Sequence, residues 1–249
     1  MKKSKNGIGL FTLIIFAVLI IIIIIVVLRL ISSAVGNDTK VLDSLIGQIY
    51  ENETATEFDI EVGEAILKFE EGDFFAVNTN NRYVDSKIEN NVLKVTERDH
   101  SSVVLEKETS TVVITIPRNF NLNTIKMKIG AGDTTINNIN VSKSADIEAG
   151  AGKITILSGT INNLNLTLGV GNAEITSKLT GISEIEAGVG NLKLTLLGDK
   201  EAYSINAEKG LGTVNIYGTK AIESYWFGDG ESIVNISGGI GNVEVDFKE

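Results

Sequence analysis

The chain has 249 residues, a net charge of −10 and no cysteine. The lack of cysteine excludes disulfide bonds, thiol catalysis, thiolate metal sites and a lipid-modified N-terminal cysteine. Residues 1–36 hold four basic residues and no acidic one, so the rest of the chain carries a net charge of −14. That charge disfavours nucleic acid, anionic lipid headgroups and phosphate-rich wall polymers as ligands unless a cation bridges them, although excess acid also simply keeps a long β-surface soluble.

The N-terminal residues predict a membrane anchor. Residues 8–31 are almost wholly apolar, and the nineteen-residue stretch Leu10–Leu28 would form a helix about 28 Å long, close to the hydrocarbon thickness of a bilayer. We predict a cytoplasmic tail over residues 1–7, a transmembrane signal anchor over 8–31 and an extracytoplasmic remainder, by the positive-inside rule. A cleaved signal peptide, cut near residues 32–34, is the competing interpretation, but its apolar core would be unusually long.

Residues 32–57 are predicted to form a juxtamembrane segment and linker. Apolar residues at helical spacing over 38–50 predict a short amphipathic helix, and the polar run 51–57 predicts a linker. The helix would lie on the membrane, pair with another protein or cover the first coil of the domain that follows. We favour the cover, because a stack of coils needs a cap over its first coil.

The next part of the chain predicts an irregular series of strands. Alternating apolar residues indicate strands over 58–62, 65–69, 74–77, 92–95, 103–105 and 112–116. The last of them ends at Pro117, which suits a strand end because proline cannot donate to the ladder. Residues 78–91 are rich in asparagine and predict a loop with one short strand near Tyr83.

A Gly-x-Gly triplet then recurs, and its first glycines are separated by 20, 19, 19, 22 and 29 residues. The repeat glycines are Gly130 and Gly132, Gly150 and Gly152, Gly169 and Gly171, Gly188 and Gly190, Gly210 and Gly212, and Gly239 and Gly241. Period-two alternation flanks the copies, and turn residues such as Ser177 with Lys178 or Gly198 with Asp199 close them. Each copy is therefore predicted to be strand, tight corner and strand, because only glycine fits a corner that needs positive φ and close backbone approach.

This repeat predicts the fold class. Coils of about 19 to 20 residues that bury their apolar faces on one another form a β-solenoid. We therefore predict an all-β, single-domain β-solenoid over residues 58–249, preceded by the transmembrane helix. The polar residues after the second glycines are expected to hydrogen bond along the stack; they are Asp133, Lys153, Asn172, Asn191, Thr213 and Asn242.

The motifs that carry chemistry elsewhere are weak here. The Gly-x-Gly copies lack the third glycine and following helix of a nucleotide-binding loop, and their period is too long for a calcium β-roll. Acidic residues two apart, Asp146 with Glu148 and Glu184 with Glu186, share a strand face and fit a solvated surface better than a cation site. The single histidine, His100, lies in a polar loop. We predict no catalytic residue, no metal and no cofactor.

The interval between the last two triplets contains Tyr225, Trp226 and Phe227. One interpretation is a protruding aromatic loop that stacks on a sugar or anchors a partner. The other, which we favour, is that these side chains seal the C-terminal coil.

The order of these parts resembles a bacterial envelope family of unknown function, described as putative adhesins, which includes the LiaG-like membrane-anchored proteins. The resemblance rests on the N-terminal membrane helix, the strand ending in residues 115–117, the Leu-x-x-Ile entry at 122–125 and the serial Gly-x-Gly coils. It covers about residues 58–247 and implies an extracytoplasmic β-solenoid, with a link to envelope stress or adhesion. It implies no catalytic residues.

These observations together predict a non-catalytic, membrane-anchored scaffold or binding module of the bacterial cell envelope. Its expected partners are the lipid bilayer, through the N-terminal helix, and either an envelope protein or the chain itself, with no nucleic acid and no small-molecule substrate. A self-assembling solenoid polymer is the first alternative. A polysaccharide-active β-helix enzyme is the second, disfavoured because no nucleophile, base and orienting group stand out.

Overall fold

The computed structural model describes residues 45–98, 109–208, 210–221 and 224–249. The predicted anchor and its cleavage site, His100 and the strand predicted over 103–105 all lie outside these residues. Within them, no helix has both the length and the apolar composition that a membrane span requires.

The described residues form strands almost throughout, which confirms the all-β prediction. The strands are β1 Ile46–Tyr50, β2 Glu57–Glu64, β3 Ile66–Gly72, β4 Phe75–Thr79, β5 Val84–Glu89, β6 Val92–Glu97, β7 Thr111–Pro117, β8 Asn121–Ala131, β9 Thr134–Ile136, β10 Ile139–Ile156, β11 Gly159–Asn162, β12 Leu164–Thr180, β13 Ile182–Leu197, β14 Tyr203–Glu208, β15 Leu211–Ile216, β16 Thr219–Ala221, β17 Tyr225–Phe227 and β18 Ser232–Lys248. A single turn of 3₁₀ helix, Lys200–Ala202, precedes β14.

Alternation of buried and exposed side chains explains why these segments are strands. In β12, Leu164, Leu166 and Leu168 are buried, while the residues between them face outward. Successive side chains of a strand point to opposite faces, so one face of each strand joins the core and the other meets solvent. The same pattern runs through β8, β10, β13 and β18.

The strands of the repeat pair in parallel with a constant offset. Ala145–Ile156 of β10 pairs with Leu164–Ile175 of β12, an offset of 19 residues, and β12 pairs with β13 at the same offset. β8 lies on the other side of β10, with Ile147 opposite Met127. Equivalent residues of neighbouring copies are therefore side by side, and their buried side chains line up in aliphatic rows.

We call this series of parallel copies the stack, and each copy a layer. At the two ends of the stack, the spatial order of the strands departs from their order in the chain. β18 lies between β13 on one side and β14 with β15 on the other, so the last strand of the chain is inside the stack. At the other end β2 lies between β6 and β8, and β3 between β7 and β9. The long interval between the last two triplets contains β15, β16 and β17, which lie at the outer end of the stack. The chain then returns inward as β18.

Antiparallel strands cover both outer layers. β5 pairs with β6, and β4 and then β1 follow on β7. At the opposite end β17 pairs with β14, and β16 with β15. A short or antiparallel edge strand blunts the row of unpaired backbone groups that a parallel stack would otherwise present.

Two local predictions were wrong and a third was confirmed. The amphipathic helix over 38–50 is wrong for Ile46–Tyr50, which are strand β1, held by β4; the rest of that helix lies outside the described residues apart from Leu45. The short strand predicted near Tyr83, within residues 78–91, is confirmed as the six-residue strand β5. The turn at Ser177 and Lys178 is part of β12, because Lys178 pairs with Thr160 of β11.

Candidate binding surface

The glycine corners form two rows along the stack. The second glycines are Gly132, Gly152, Gly171, Gly190, Gly212 and Gly241, and all have φ between +124° and +152°. A Cβ added at Gly152, Gly171 or Gly190 would collide with the carbonyl oxygen of the glycine in the layer below. Positive φ and close approach therefore both require glycine, as predicted.

At the first glycine of each triplet, the close approach of the neighbouring backbone alone excludes a side chain. A Cβ on Gly150 would lie 2.5 Å from the carbonyl oxygen of Gly130, and one on Gly169 would lie 2.5 Å from that of Gly150. The last two triplets make the same close contacts but in a different spatial order, because Gly241 lies on Gly190 and Gly212 lies on Gly241. The repeat glycines therefore determine the spacing of the layers and contribute no chemistry of their own.

The polar residues after the corners form the predicted hydrogen-bonded ladder. Asn191 donates from its backbone and its side-chain amide to Asn172 Oδ1, at 3.0 and 3.2 Å. Asn242 donates in the same way to Asn191 Oδ1, at 3.1 and 3.2 Å, and Thr213 donates to Asn242 Oδ1 at 2.6 Å. Lys153 interrupts this row.

Lys153 turns to a different partner. Its ammonium lies 3.0 Å from Glu174 on the neighbouring strand, while its backbone N–H donates to Asp133 at 3.1 Å. The hydrogen bond and the positive charge of Lys153 lower the pKa of the Glu174 carboxyl below its usual value. Both side chains are about half exposed, so water screens this pair and it stabilises the fold only slightly.

An apolar ridge that sequence reasoning missed lies between the two glycine rows. It consists of the middle residues of the triplets in register: Ala131, Ala151, Val170, Val189, Ile240 and Leu211. The side chains of the ridge become larger along the stack, from alanine at one end to isoleucine and leucine at the other. Ile240 and Leu211 are 51% and 72% exposed. The signal was present in the sequence, because the middle position of every triplet is apolar.

A second row, which we call the polar row, crosses the outer face of the sheet before the corners. Its members, in register, are Asp59, Lys126, Asp146, Asn165, Glu184, Asn235, Asn206 and Trp226. Asn165 donates to Asp146 at 3.3 Å, and Asn235 donates to Glu184 at 2.7 Å. Asp146 and Glu184, predicted to face solvent, therefore serve as acceptors within this row.

The aromatic segment divides between the two interpretations. Tyr225 and Phe227 pack against the core, and the Phe227 ring lies 5.2 Å from that of Phe247. Trp226, between them, is 63% exposed and faces outward beside Asn206. Because side chains alternate along β17, Tyr225 and Phe227 cover the core at this end, whereas Trp226 lies on the surface.

An open groove of about 760 Å³ lies along the first glycine row, lined by Glu61, Glu97, Lys128 and Glu148 among glycines. Glu97 already accepts the backbone N–H of Gly63 and the side-chain amide of Asn81, at 2.8 and 2.9 Å. Lys128 lies 3.8 Å from Glu148. Within the described ranges, no cluster of three or more histidine, aspartate and glutamate side chains fits a metal ion.

The fold is similar to that of a putative cell adhesion protein from Clostridium sporogenes, with a TM-score of 0.51 and 19% identity over 82% of this chain and 99% of that one. It is also similar to a putative adhesin from Bacteroides fragilis, with a TM-score of 0.40 and 17% identity over 81% of this chain and 96% of that one. No model of a protein family matches the sequence, and no curated protein does. The likeness to the clostridial protein shows a shared fold.

Proposed function

We propose that the chain is a non-catalytic adhesion or binding module of the bacterial cell envelope. The observation that carries this proposal is the polar row, an extended surface of ordered amide and carboxylate side chains that ends at an exposed tryptophan. Its hydrogen bonds hold side chains in place before any ligand arrives, which lowers the entropy lost on binding. The fold shared with the putative cell adhesion protein from Clostridium sporogenes supports the same class.

We further propose that the domain is a β-solenoid, of the LiaG-like kind, carried outside the membrane by a helix over residues 8–31. The parallel offset of 19 residues supports the solenoid, and the apolar run supports the anchor. A protease added to intact cells that express the chain with a C-terminal tag should remove the tag. Protection of the tag until the cells are lysed would contradict the proposed orientation.

The binding role is tested by chemical crosslinking in intact cells that express the full tagged chain, followed by purification through the tag. We expect one specific band that contains the chain and an envelope component. Recovery of the uncrosslinked chain alone would contradict a binding role. Turnover of a purified polysaccharide would instead identify an enzyme.

Self-association is a second candidate, because the apolar ridge favours it. Exposed Ile240 and Leu211 stand in line at the C-terminal end of the ridge, and apolar surface of this kind marks interaction sites. A crosslinked ladder of the chain alone, reduced by the paired change Leu211→Ser and Ile240→Ser, would establish it. A ladder that the paired change leaves intact would exclude the ridge as the contact.

A further inference from the structure

We propose that Trp226 and the adjoining end of the polar row bind an uncharged, extended β-1,4-linked polysaccharide chain. This inference rests on the proposed function, because it names the ligand class of the same surface. Four features carry it: the orientation of the indole, the free amide beside it, the spacing of the row and its charge.

The indole is held in place although it is exposed. Trp226 Nε1 donates to the carbonyl oxygen of Gly228 at 2.9 Å, which fixes the ring against its own turn. Gly228 has φ +71°, and a Cβ there would collide with the carbonyl oxygen of Tyr203, so this turn requires glycine. An ordered, flat aromatic face is the surface on which the C–H face of a sugar ring stacks.

Polar groups that can pair with sugar hydroxyls lie next to the ring. Asn206 is directly opposite Trp226 in the strand register, and within the described part of the chain its amide makes no side-chain hydrogen bond. Beyond it, Asn235 is fixed by its 2.7 Å bond to Glu184, whose second oxygen remains an acceptor. An amide donates and accepts, as a hydroxyl does, so each Asn can pair with one or two hydroxyls.

The spacing of the row suits a linear chain of sugars. Neighbouring strands of a sheet lie about 4.8 Å apart, and the row presents one side chain per strand. An extended β-1,4-linked chain advances by a similar distance per sugar. A chain that stacks on Trp226 and runs across the strands would therefore place successive sugars over Asn206, Asn235 and Glu184.

Charge selects an uncharged ligand. The two members nearest Trp226 are neutral, and the next, Glu184, is acidic. Glu186 and Glu208 are exposed two positions further along β13 and β14, on the same face. Together with the net charge of −14 beyond residue 36, these carboxylates repel polyanions.

The experiment uses the single tryptophan of the chain as its reporter. The full chain, in lipid nanodiscs that contain no sugar headgroup, is titrated with cellohexaose, with chitohexaose and with an anionic hyaluronan oligosaccharide while Trp226 emission is recorded. We expect a saturable change with at least one neutral probe and none with hyaluronan. Asn206→Ala should weaken that binding about fivefold, the loss of roughly one hydrogen bond.

Variants locate the site by calorimetry, which needs no fluorophore. Trp226→Ala should abolish binding of the neutral probe, whereas Phe74→Ala and Leu157→Ala, which remove exposed apolar side chains away from the row, should leave it unchanged. Saturable binding that survives Trp226→Ala, or no binding of either neutral probe, would overturn the inference. If no probe binds but cell crosslinking still captures an envelope component, only the glycan inference fails; if neither occurs, the proposed function fails too.

Discussion

The middle of the stack and its two ends are stabilised in different ways. From β8 to β13 the chain has no aromatic residue, and its core consists of aliphatic rows such as Ile156, Ile175 and Leu194. The aromatic side chains of the described residues gather at the ends. Phe58 contacts the rings of Phe69 and Phe75 at one end, and Phe247 is surrounded by Tyr203, Tyr217 and Phe227 at the other.

This difference reflects what each region has to bury. A middle layer has a similar neighbour on both sides, so small β-branched and leucine side chains fill the space, and backbone contacts at the glycine corners determine the distance between layers. An end layer has a neighbour on one side only. Large rings on antiparallel strands cover the open side.

The largest effect is expected when the middle loses its close backbone contact. Gly171→Ala adds a Cβ that meets the carbonyl oxygen of Gly152 and forces alanine to φ +145°, so it should destabilise the fold by about 3 kcal/mol or more. Thermal and denaturant unfolding of the full chain measure this loss.

Gly198→Ala is the matched control for that change. Gly198 also has positive φ, +103°, but no atom lies within 4 Å of an added Cβ. Only backbone strain remains, so we expect a loss of about 1 to 2 kcal/mol. Equal losses at the two positions would show that the close approach of the layers is unimportant.

The next effect should be local to the C-terminal end. Phe247→Ala removes the ring that contacts Tyr203, Tyr217 and Phe227, at 5.9, 5.7 and 5.2 Å between ring centroids. Because Phe247 is only partly buried, we expect a loss of about 2 to 3 kcal/mol. Hydrogen exchange should accelerate in β14 to β18 and stay unchanged in β10. Uniform acceleration through the stack would show instead that the ends and the middle unfold as one unit.

A smaller effect is expected in the ladder of polar residues. Asn191 bonds to both neighbouring layers, through Asn172 and Asn242, whereas Thr213 at the end of the ladder makes one such bond. Because the ladder is exposed to water, Asn191→Ala should destabilise the fold by about 1 kcal/mol, and Thr213→Ala by less. Denaturant midpoints of the two variants compare them, and the reverse order would contradict a ladder that is strongest inside the stack.

The middle could be predicted from the sequence, because its local rules and its long-range contacts repeat together. The same Gly-x-Gly at a nearly constant interval indicates the corner, the parallel offset and the row of residues that Asn172 and Asn191 share. Pro117 likewise ends β7 as predicted. A period read along the chain is here also the period across the sheet.

The ends could not be predicted in the same way. Nothing local in β18 indicates that it lies between β13 and β14, because that position depends on where the chain leaves the stack and returns. Apolar residues over 38–50 have helical spacing, yet Ile46–Tyr50 pair with β4, so a distant partner overrides the local pattern. At Tyr225–Phe227 the sequence offered sealing or exposure for the whole segment, and strand alternation divides the two roles between neighbouring residues.

The smallest effect, and the one that most sharpens the contrast, depends on alkaline pH. Burial raises the pKa of Tyr203 above its usual value of 10.0, and burial likewise raises that of Tyr50 at the other end, whereas the layers from β8 to β13 contain no tyrosine. A raised pKa in the folded state means that the stabilisation is complete below pH 10 and is lost as the pH rises through the higher folded value. The difference between the melting temperatures at pH 8 and pH 11 should therefore be smaller for Tyr203→Phe than for the native chain. The same substitution removes the 2.7 Å bond to the Leu197 carbonyl, so it also lowers the melting temperature at pH 8. If the variant loses as much stability between the two pH values as the native chain does, Tyr203 is not the source of the alkaline loss, and the C-terminal end is not the alkali-sensitive region.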